Sequence, residues 1–382
     1  MSDEPADDES GDADTAESGG ANGDPRELAV VVAKPRAESV IDALEAEGVY
    51  DDSRSVGSWD DDGVAVPVTA PPETVEVREV VQQVGERRLR SLDDHLRQRG
   101  WTDAELDAAP SSWAVVGSVV LVAMGDAPRP TEVGEALLAL HGEADTVLAR
   151  NGIGGVHREP DVTVVAGEGD TETVHTEHGT EYALDLAEVM FSPGNKAERA
   201  RMGRAVSEGD GAVATEPSGG ASGATASQAG ERVLDMFAGI GYFTLPMARA
   251  GAAVVAVERN PTAFRYLVEN TMRNGVDGLV QPYRADCREV VEAGIDGGPV
   301  DRVVMGYYES WEYLESAFDA LAPGGVLHMH EATPEHLAFE RPVERLEAAA
   351  ADAGRSVELL DTRRVKSHSE GVVHVVVDAR VR

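Results

Sequence analysis

VLDMFAGIGYFTLPMARAGAAVVAVE, residues 233–258, reads as a strand, a glycine-bearing turn, a helix and a second strand that ends in a carboxylate. Val233, Leu234, Met236 and Phe237 make a short apolar run suited to a buried parallel strand, and Gly239 and Gly241 let the backbone turn tightly beside a ligand. Leu245, Met247, Ala248 and Ala250 supply a helical apolar face. The run from Ala252 to Val257 is rich in β-branched residues and stops at Glu258, where a carboxylate can accept both hydroxyls of a ribose. A dinucleotide fold calls for G-x-G-x-x-G, with a pyrophosphate on the helix N-terminus. Here Thr244 stands at the third position, which favours a single adenosine without phosphates, S-adenosylmethionine ahead of NAD.

Outward from this stretch, 382 residues are enough for two or three domains. The 70 acidic residues against 33 basic ones give a net charge of -37, and among the basic residues only Lys34, Lys196 and Lys366 are lysine. This balance points to a high-salt cytoplasm, because at roughly 1 M ionic strength the screening length falls to about 3 Å and carboxylate repulsion is tolerable. It does not exclude an RNA substrate; RNA contact would rest on local arginine clusters and shape. The single cysteine, Cys287, excludes an intramolecular disulfide framework and a cysteine-rich zinc site. With no long apolar run and no basic leader, the chain reads as cytoplasmic, without membrane or DNA partners, and a monomer is expected.

Residues 1–26 are acid-rich and lack lysine or arginine up to Asp24, the composition of a disordered tail. A small N-terminal domain is expected over 27–72, a mixed α/β domain over 73–206, and a flexible linker or insertion over 207–230. The middle domain should open with an arginine-laced helix after Val75 and carry a strand at Val115–Met124. From 231 to 382 the pattern fits an α/β, Rossmann-like sheet of seven strands with an antiparallel C-terminal strand. Its third strand is expected over Leu279–Cys287, and its last two over Val357–Val365 and Val372–Val381.

Asp235, Gly239, Gly241 and Glu258 all fall at the carboxyl edge of this sheet, where open α/β folds bind ligands. Asp286 and Cys287 close the third strand, where a carboxylate can accept the exocyclic amine of adenine and the cysteine can offer its backbone N–H. At the fourth strand end, enzymes that methylate amines carry Asn-Pro-Pro-Tyr; here Gly306 and Tyr307 stand instead. Tyr307 or Tyr308 can stack on a base or pack in the core. Ser192, Lys196, Arg199 and Arg201 cluster on a turn leading into a helix, as a phosphate or carboxylate grip or as a solvated basic face. His328 and His330, spaced i, i+2, read as core or substrate-contact residues; no metal is expected.

DMFAGIGYFTLP, VERNPTAFRYLVENTMRN, DRVVMGY, GGVLHMHE, FSPGNKAERAR and VKSHSEGVVHVVVD together resemble the archaeal tRNA wybutosine-synthesising protein 2 family, a relative of the archaeal tRNA guanine N1-methyltransferase. The resemblance runs from about Gly152 to the C-terminus and more weakly from Leu28. It implies transfer of the 3-amino-3-carboxypropyl group of S-adenosylmethionine to carbon 7 of 4-demethylwyosine at position 37 of tRNA-Phe, with methylthioadenosine leaving. It also implies donor contacts at Ser192, Arg199, Glu258, Asp286 and Cys287. The related methyltransferase carries Asn followed by Leu-Pro where Gly306 stands, a departure that favours the aminocarboxypropyl reading. Arg199 and Tyr307 are the candidates for a part in catalysis. The alternatives are guanine-37 N1-methylation and, from another class, a non-catalytic RNA-binding protein.

Overall fold

A computed structural model describes residues 28–82, 85–209 and 230–382; the expected acidic tail and residues 210–229 of the expected linker lie outside the described residues. The chain forms two compact units, one ending at Arg90 and one running from Ser91 to Arg382. The first is a four-stranded antiparallel sheet in the order Gly57–Ser58, Gly63–Val68, Leu28–Ala33, Glu79–Gln82. The helix Ala37–Glu47 covers it through Val40 and Leu44, which meet Val30, Val32 and Val66. The expected helix after Val75 is not formed. Instead Glu79–Gln82 pairs with Leu28–Ala33, Val80 opposite Val30, and the helix waits until Leu92–Gln98. Ser91 sets that start, accepting from the Asp94 N–H at 3.1 Å while Asp94 accepts from the Ser91 N–H.

In the second unit, the strands Trp113–Val116, Val119–Val122, Thr146–Gly154 and Glu159–Gly167 form a mixed sheet. The single strand expected over Val115–Met124 is thus two strands folded back at Gly117, whose φ is 57° and where a Cβ would lie 2.0 Å from Thr173 Oγ1. A separate hairpin, Glu172–Glu177 with Thr180–Asp185, follows, and then the helix Lys196–Ser207.

The C-terminal sheet comprises β1 (Arg232–Asp235), β2 (Ala253–Val257), β3 (Val280–Tyr283), β4 (Val300–Met305), β5 (Leu321–Pro334), β6 (Val357–Ser369) and β7 (Val372–Val381). Their order is β3-β2-β1-β4-β5-β7-β6. β1 to β5 run parallel; β7 is antiparallel to both β5 and β6. The Rossmann-like sheet with an antiparallel C-terminal strand is therefore the observed fold. The helices α1 (Thr244–Arg249), α2 (Pro261–Arg273), α3 (Cys287–Ala293), α4 (Leu314–Ala320) and α5 (Glu340–Asp352) connect the strands. Strand alternation divides the core. Leu234, Val303 and Leu327 face Phe318 and Leu346 on one side, whereas Val233 and Val254 face Leu267, Tyr182 and Met202 on the other. Strand order reverses between β1 and β4, so the cleft lies beyond the carboxyl ends of these two strands.

β3 ends at Tyr283, short of the expected Cys287. Asp286 caps α3 by accepting the Arg288 N–H at 3.0 Å, so Cys287 is the first residue of a helix.

Two buried side chains hold the glycine turn in place. Asn270, fully buried on α2, donates to the carbonyls of Ala183 and Ile240 at 3.0 Å each and accepts the Ala183 N–H at 2.7 Å. It joins the hairpin and the turn to one helix. Asp235, also fully buried, accepts the Thr244 hydroxyl at 2.7 Å. Burial raises its carboxyl from 3.8 to about 6, against the opposing hydrogen bonds from Thr244 and Phe237.

Asn270→Ala should lower unfolding stability by about 2–4 kcal/mol in denaturant titrations, because three buried backbone groups lose their partner. Asp235→Asn should show a pH signature. Between about pH 4 and pH 6 the folded chain retains a proton on Asp235 that the unfolded chain has released, so the native protein loses stability across that window as pH rises. The stability difference, variant minus native, should therefore shift toward the variant by about 2–3 kcal/mol from pH 4 to pH 6 and stay flat above it.

Candidate active site

At the switch point a cleft of about 1030 Å³, mouth included, opens between the turn after β1, the ends of β2 and β4, the start of α3 and the segment around Ser192. Gly239, Glu258, Asp286, Cys287, Ser192 and Tyr307 all line it. Asp235, Gly241 and Arg199 do not. The two glycines differ in purpose: Gly239 (φ 57°) faces the cleft, whereas Gly241 (φ 106°) sits where a Cβ would lie 2.8 Å from the Leu245 side chain.

Glu258 shapes the adjoining wall. Its Oε2 accepts the Gly239 N–H at 2.8 Å and its Oε1 the Asn260 N–H at 2.7 Å, which ties the end of β2 to the turn. Burial raises its pKa. Each carboxylate oxygen retains a lone pair for a ligand hydroxyl. The Asp286 carboxylate takes a two-pronged contact from Arg288 (Nε at 2.9 Å, Nη2 at 2.7 Å), and this bond holds its pKa down. Arg288 in turn lies 4.7 Å over the Tyr313 ring. Burial, with the nearby Asp286 charge, pushes the Cys287 thiol up to about 12, so it is an un-ionised thiol rather than a nucleophile.

Arg199 is 2% exposed and committed elsewhere. Its Nε and Nη2 donate to the two Glu177 oxygens at 2.7 Å each, and Nη1 donates to the Ser192 carbonyl at 3.0 Å. Burial pushes the Glu177 carboxyl up, but hydrogen bonds from His175 and Arg199 outweigh this and hold it at about 2. The guanidinium opens onto a separate cavity with Arg204 and Arg249. Arg199 reaches the cleft indirectly, through the turn that carries Ser192 and through Tyr242, a lining residue over whose ring it lies at 5.8 Å.

At the end of β4, Gly306 is packed against Phe243; a Cβ there would lie 2.7 Å from the ring, leaving no room for asparagine with Phe243 in place. Phe243 lies 5.2 Å from His330, which bonds His374 (Nδ1 to Nε2, 3.0 Å). Burial pushes the two imidazoles down to about 3 and about 2, so the pair is neutral. His328 bonds Asp378 at 2.7 Å and also Arg302. The Tyr307 hydroxyl donates to Glu309 at 2.6 Å, and its ring lies 5.2 Å from Phe237. Tyr308 stands edge-on to His368 and His374, at 4.6 and 4.9 Å.

Arg158, Asn195, Arg259 and Asn260 at the cleft, and Lys366 beside it, are not among the site residues expected from sequence. Arg158 sits at the tip of the hairpin between Thr146–Gly154 and Glu159–Gly167, in the left-handed region at φ 54°, with its guanidinium 5.6 and 5.2 Å over Tyr307 and Tyr308. Arg259 and Asn260 hold the tip by donating to the carbonyls of Val156 and His157. Asn195 lines the cleft beside Ser192, and Lys366 of β6 donates to the Ser192 hydroxyl. Lys366 stands out in the sequence as one of three lysines, and Asn195, Arg259 and Asn260 fall within the quoted motifs.

Two domain descriptions match the chain in order: a TYW2 N-terminal domain over residues 92–171 and a TRM5/TYW2 methyltransferase domain over 173–215 and 221–360. The tRNA(Phe) (4-demethylwyosine(37)-C(7)) aminocarboxypropyltransferase of Methanocaldococcus jannaschii is 38% identical over 231 residues, 60% of this chain and 82% of its own. The crystal structure of Pyrococcus horikoshii TYW2 in complex with MeSAdo superposes with a TM-score of 0.59 at 30% identity, covering 75% of this chain and 96% of that one. Trm5b from Pyrococcus abyssi superposes with a TM-score of 0.68 at 28% identity, covering 93% and 99%. With this identity over four fifths of a relative and both domains in order, the chain belongs to the TRM5/TYW2 family.

Proposed function

We propose that this protein transfers the 3-amino-3-carboxypropyl group of S-adenosylmethionine to carbon 7 of 4-demethylwyosine at position 37 of tRNA-Phe, releasing methylthioadenosine. The observation that carries this reading is the far end of the cleft. Gly306 offers no side chain to grip a purine edge, its space being taken by Phe243, while Tyr307 and Tyr308 present aromatic surface under Arg158. Such a surface suits a flat fused ring, and stacking is worth about 1–3 kcal/mol per base. The named activity of the Methanocaldococcus jannaschii relative and the MeSAdo complex of the Pyrococcus horikoshii one support the same reaction.

Donor and acceptor take opposite ends of the cleft. Glu258 accepts the ribose hydroxyls, Gly239 lets the backbone approach, and Asp286 and the backbone of Cys287 meet the adenine. Asp235 and Gly241 shape the turn from behind, and Arg199 holds Ser192 through its carbonyl. In the transfer a bond forms between carbon 7 and the γ-carbon of the donor, and the bond from that carbon to sulfur breaks. Its electron pair stays on sulfur, which leaves as a neutral thioether, and the ring releases the carbon 7 proton to solvent. The sulfonium is already an activated electrophile, so the protein's task is alignment.

The 70 acidic residues against 33 basic ones support a high-salt archaeal cytoplasm as the setting of this enzyme, which we take to act as a monomer. Among the described residues, no helix is long and apolar enough to cross a membrane. tRNA would meet arginines such as Arg150, exposed on Thr146–Gly154, and Arg158, whose guanidinium lies over Tyr307 and Tyr308. The unit ending at Arg90 would help position the tRNA.

Incubation with S-adenosylmethionine in molar KCl, and with tRNA-Phe carrying either 4-demethylwyosine or guanosine, tests the reaction. Methylthioadenosine should form only with the modified tRNA, and the digested nucleoside should gain the mass of one aminocarboxypropyl group. S-adenosylhomocysteine formed with the guanosine tRNA would replace this reading with N1-methylation, and absence of donor binding would leave an RNA-binding protein.

A further inference from the structure

A second cavity, about 760 Å³ with its mouth, lies between the helix Lys196–Ser207, the end of α1 and the turn of the hairpin Glu172–Glu177/Thr180–Asp185. No step of the group transfer uses it. Glu177 is the one carboxylate in its lining, and that carboxylate is already taken by Arg199 through two hydrogen bonds. Arg204 and Arg249 reach the cavity from two closely packed helices, where a Cβ on Gly203 would lie 3.1 Å from the Pro246 carbonyl oxygen. Both arginines are exposed, and neither makes a salt bridge among the described residues. Other exposed arginines of the same unit do find carboxylates: Arg97 meets Asp93 and Asp103, Arg265 meets Glu188, and Arg382 meets Glu358. Arg204 and Arg249 each stand in the last turn of a helix, where a cation offsets the free carbonyls. That accounts for one charge at each helix end, and not for two such ends turned onto one cavity.

The hairpin turn adds a third basic group. Glu177 pairs with Thr180, so His178 and Gly179 alone make the turn, and both have positive φ, 49° and 75°. Two-residue turns of this kind favour Asn or Asp before Gly, because those side chains tolerate the left-handed region. In a chain with 70 acidic residues the position carries histidine instead, and it lines the cavity. Arg249 lies against the same turn, with Nη2 3.4 Å from where a Gly179 Cβ would stand. Thr180, the next residue, adds a hydroxyl-bearing side chain to the lining.

We infer that this cavity binds a phosphoryl group, held by the guanidiniums of Arg204 and Arg249 with His178 and the Thr180 hydroxyl as further donors. A carboxylate has two oxygens and is matched by a single guanidinium, as Glu177 is by Arg199. Two guanidiniums with an imidazole call for a group with more than two acceptor oxygens, and a planar guanidinium fork meets phosphate oxygens in pairs. At roughly 1 M salt the screening length is about 3 Å, so only direct contacts keep their strength. A concave site with donors from two helices and a turn supplies such contacts. Its ligand is either a phosphodiester of the RNA backbone or a phosphate ester free in solution, since both present the same oxygens. The site is distinct from the cleft and independent of which group S-adenosylmethionine gives away.

Equilibrium dialysis of the full chain in molar KCl against radiolabelled orthophosphate tests the site. The wild-type chain should take up phosphate saturably, and Arg204→Gln combined with Arg249→Gln should weaken that uptake about 10-fold or more. A cooperative thermal transition in the double variant reports an intact fold. Each single substitution should weaken uptake by a smaller factor, and it tests the site should the double variant not fold. Adding tRNA-Phe separates the two sources. Release of the labelled phosphate, with weaker tRNA binding by the double variant, assigns the site to the RNA backbone; retention of the label assigns it to a free phosphate ester. Absence of saturable uptake by the wild-type chain, or equal uptake by wild-type and folded variant chains, would overturn the site. Neither result bears on the group-transfer reading.

Discussion

The ion pair between Arg199 and Glu177 is the contact on which the cleft depends. Both side chains are almost wholly buried, and removing either partner would strand a charge in the interior. Such a pair adds little net stability over apolar residues of the same size, so its value here is geometric. Glu177 ends the strand Glu172–Glu177, which packs beside the main sheet, and Arg199 stands in the first turns of Lys196–Ser207. The bidentate contact fixes the guanidinium plane, and the nitrogen left over takes the Ser192 carbonyl. The turn bearing Ser192 and Asn195 is thereby set against a sheet to which it is not covalently adjacent.

A second ionic layer fastens the same helix through the neighbouring residues of its first two turns. Glu198 and Arg201 meet Arg363 of β6 and Asp378 of β7, and Asp378 also receives His328 and Arg363. These contacts join the middle segment to the antiparallel strands, the same strands that deliver Lys366 and His374. At high ionic strength exposed pairs on so acidic a surface are screened to small effect, whereas half-buried ones keep most of their strength. The joints that shape the cleft are of the second kind.

The sheet was legible because its information is local. Val233 to Glu258 carries strand, turn, helix and strand within one window, and β-branched runs mark the remaining strands. The capping of α3 was also written in DCRE, where Asp286 precedes Glu289 by the three residues of an N-terminal helix signature, but the apolar run before it drew the strand too far. What local pattern could not hold was long-range pairing. Arg199 read as a ligand grip because Glu177, 22 residues earlier and on another element, carried no mark of being its partner. Arg158 reaches Tyr307 and Tyr308 only because a hairpin tip adopts a left-handed residue, and Lys366 meets Ser192 across 174 positions.

Gly306 gains its meaning from this arrangement. Read alone, it is the loss of a polar side chain at the end of β4. In the folded chain it is the space that lets Phe243 close over the strand end and rest on His330, with His330 and His374 neutral and hydrogen-bonded behind it. The β4 end of the cleft is thus aromatic beneath the Arg158 guanidinium, while the turn at Ser192 is polar and meets Lys366. A sulfonium donor offers three carbons of comparable chemistry, and no group in a single fixed adenosine pocket can rank them. On the proposed reading the choice among them falls to residues outside the adenosine wall, at Ser192 on one side of the cleft and at Tyr307 and Tyr308 on the other.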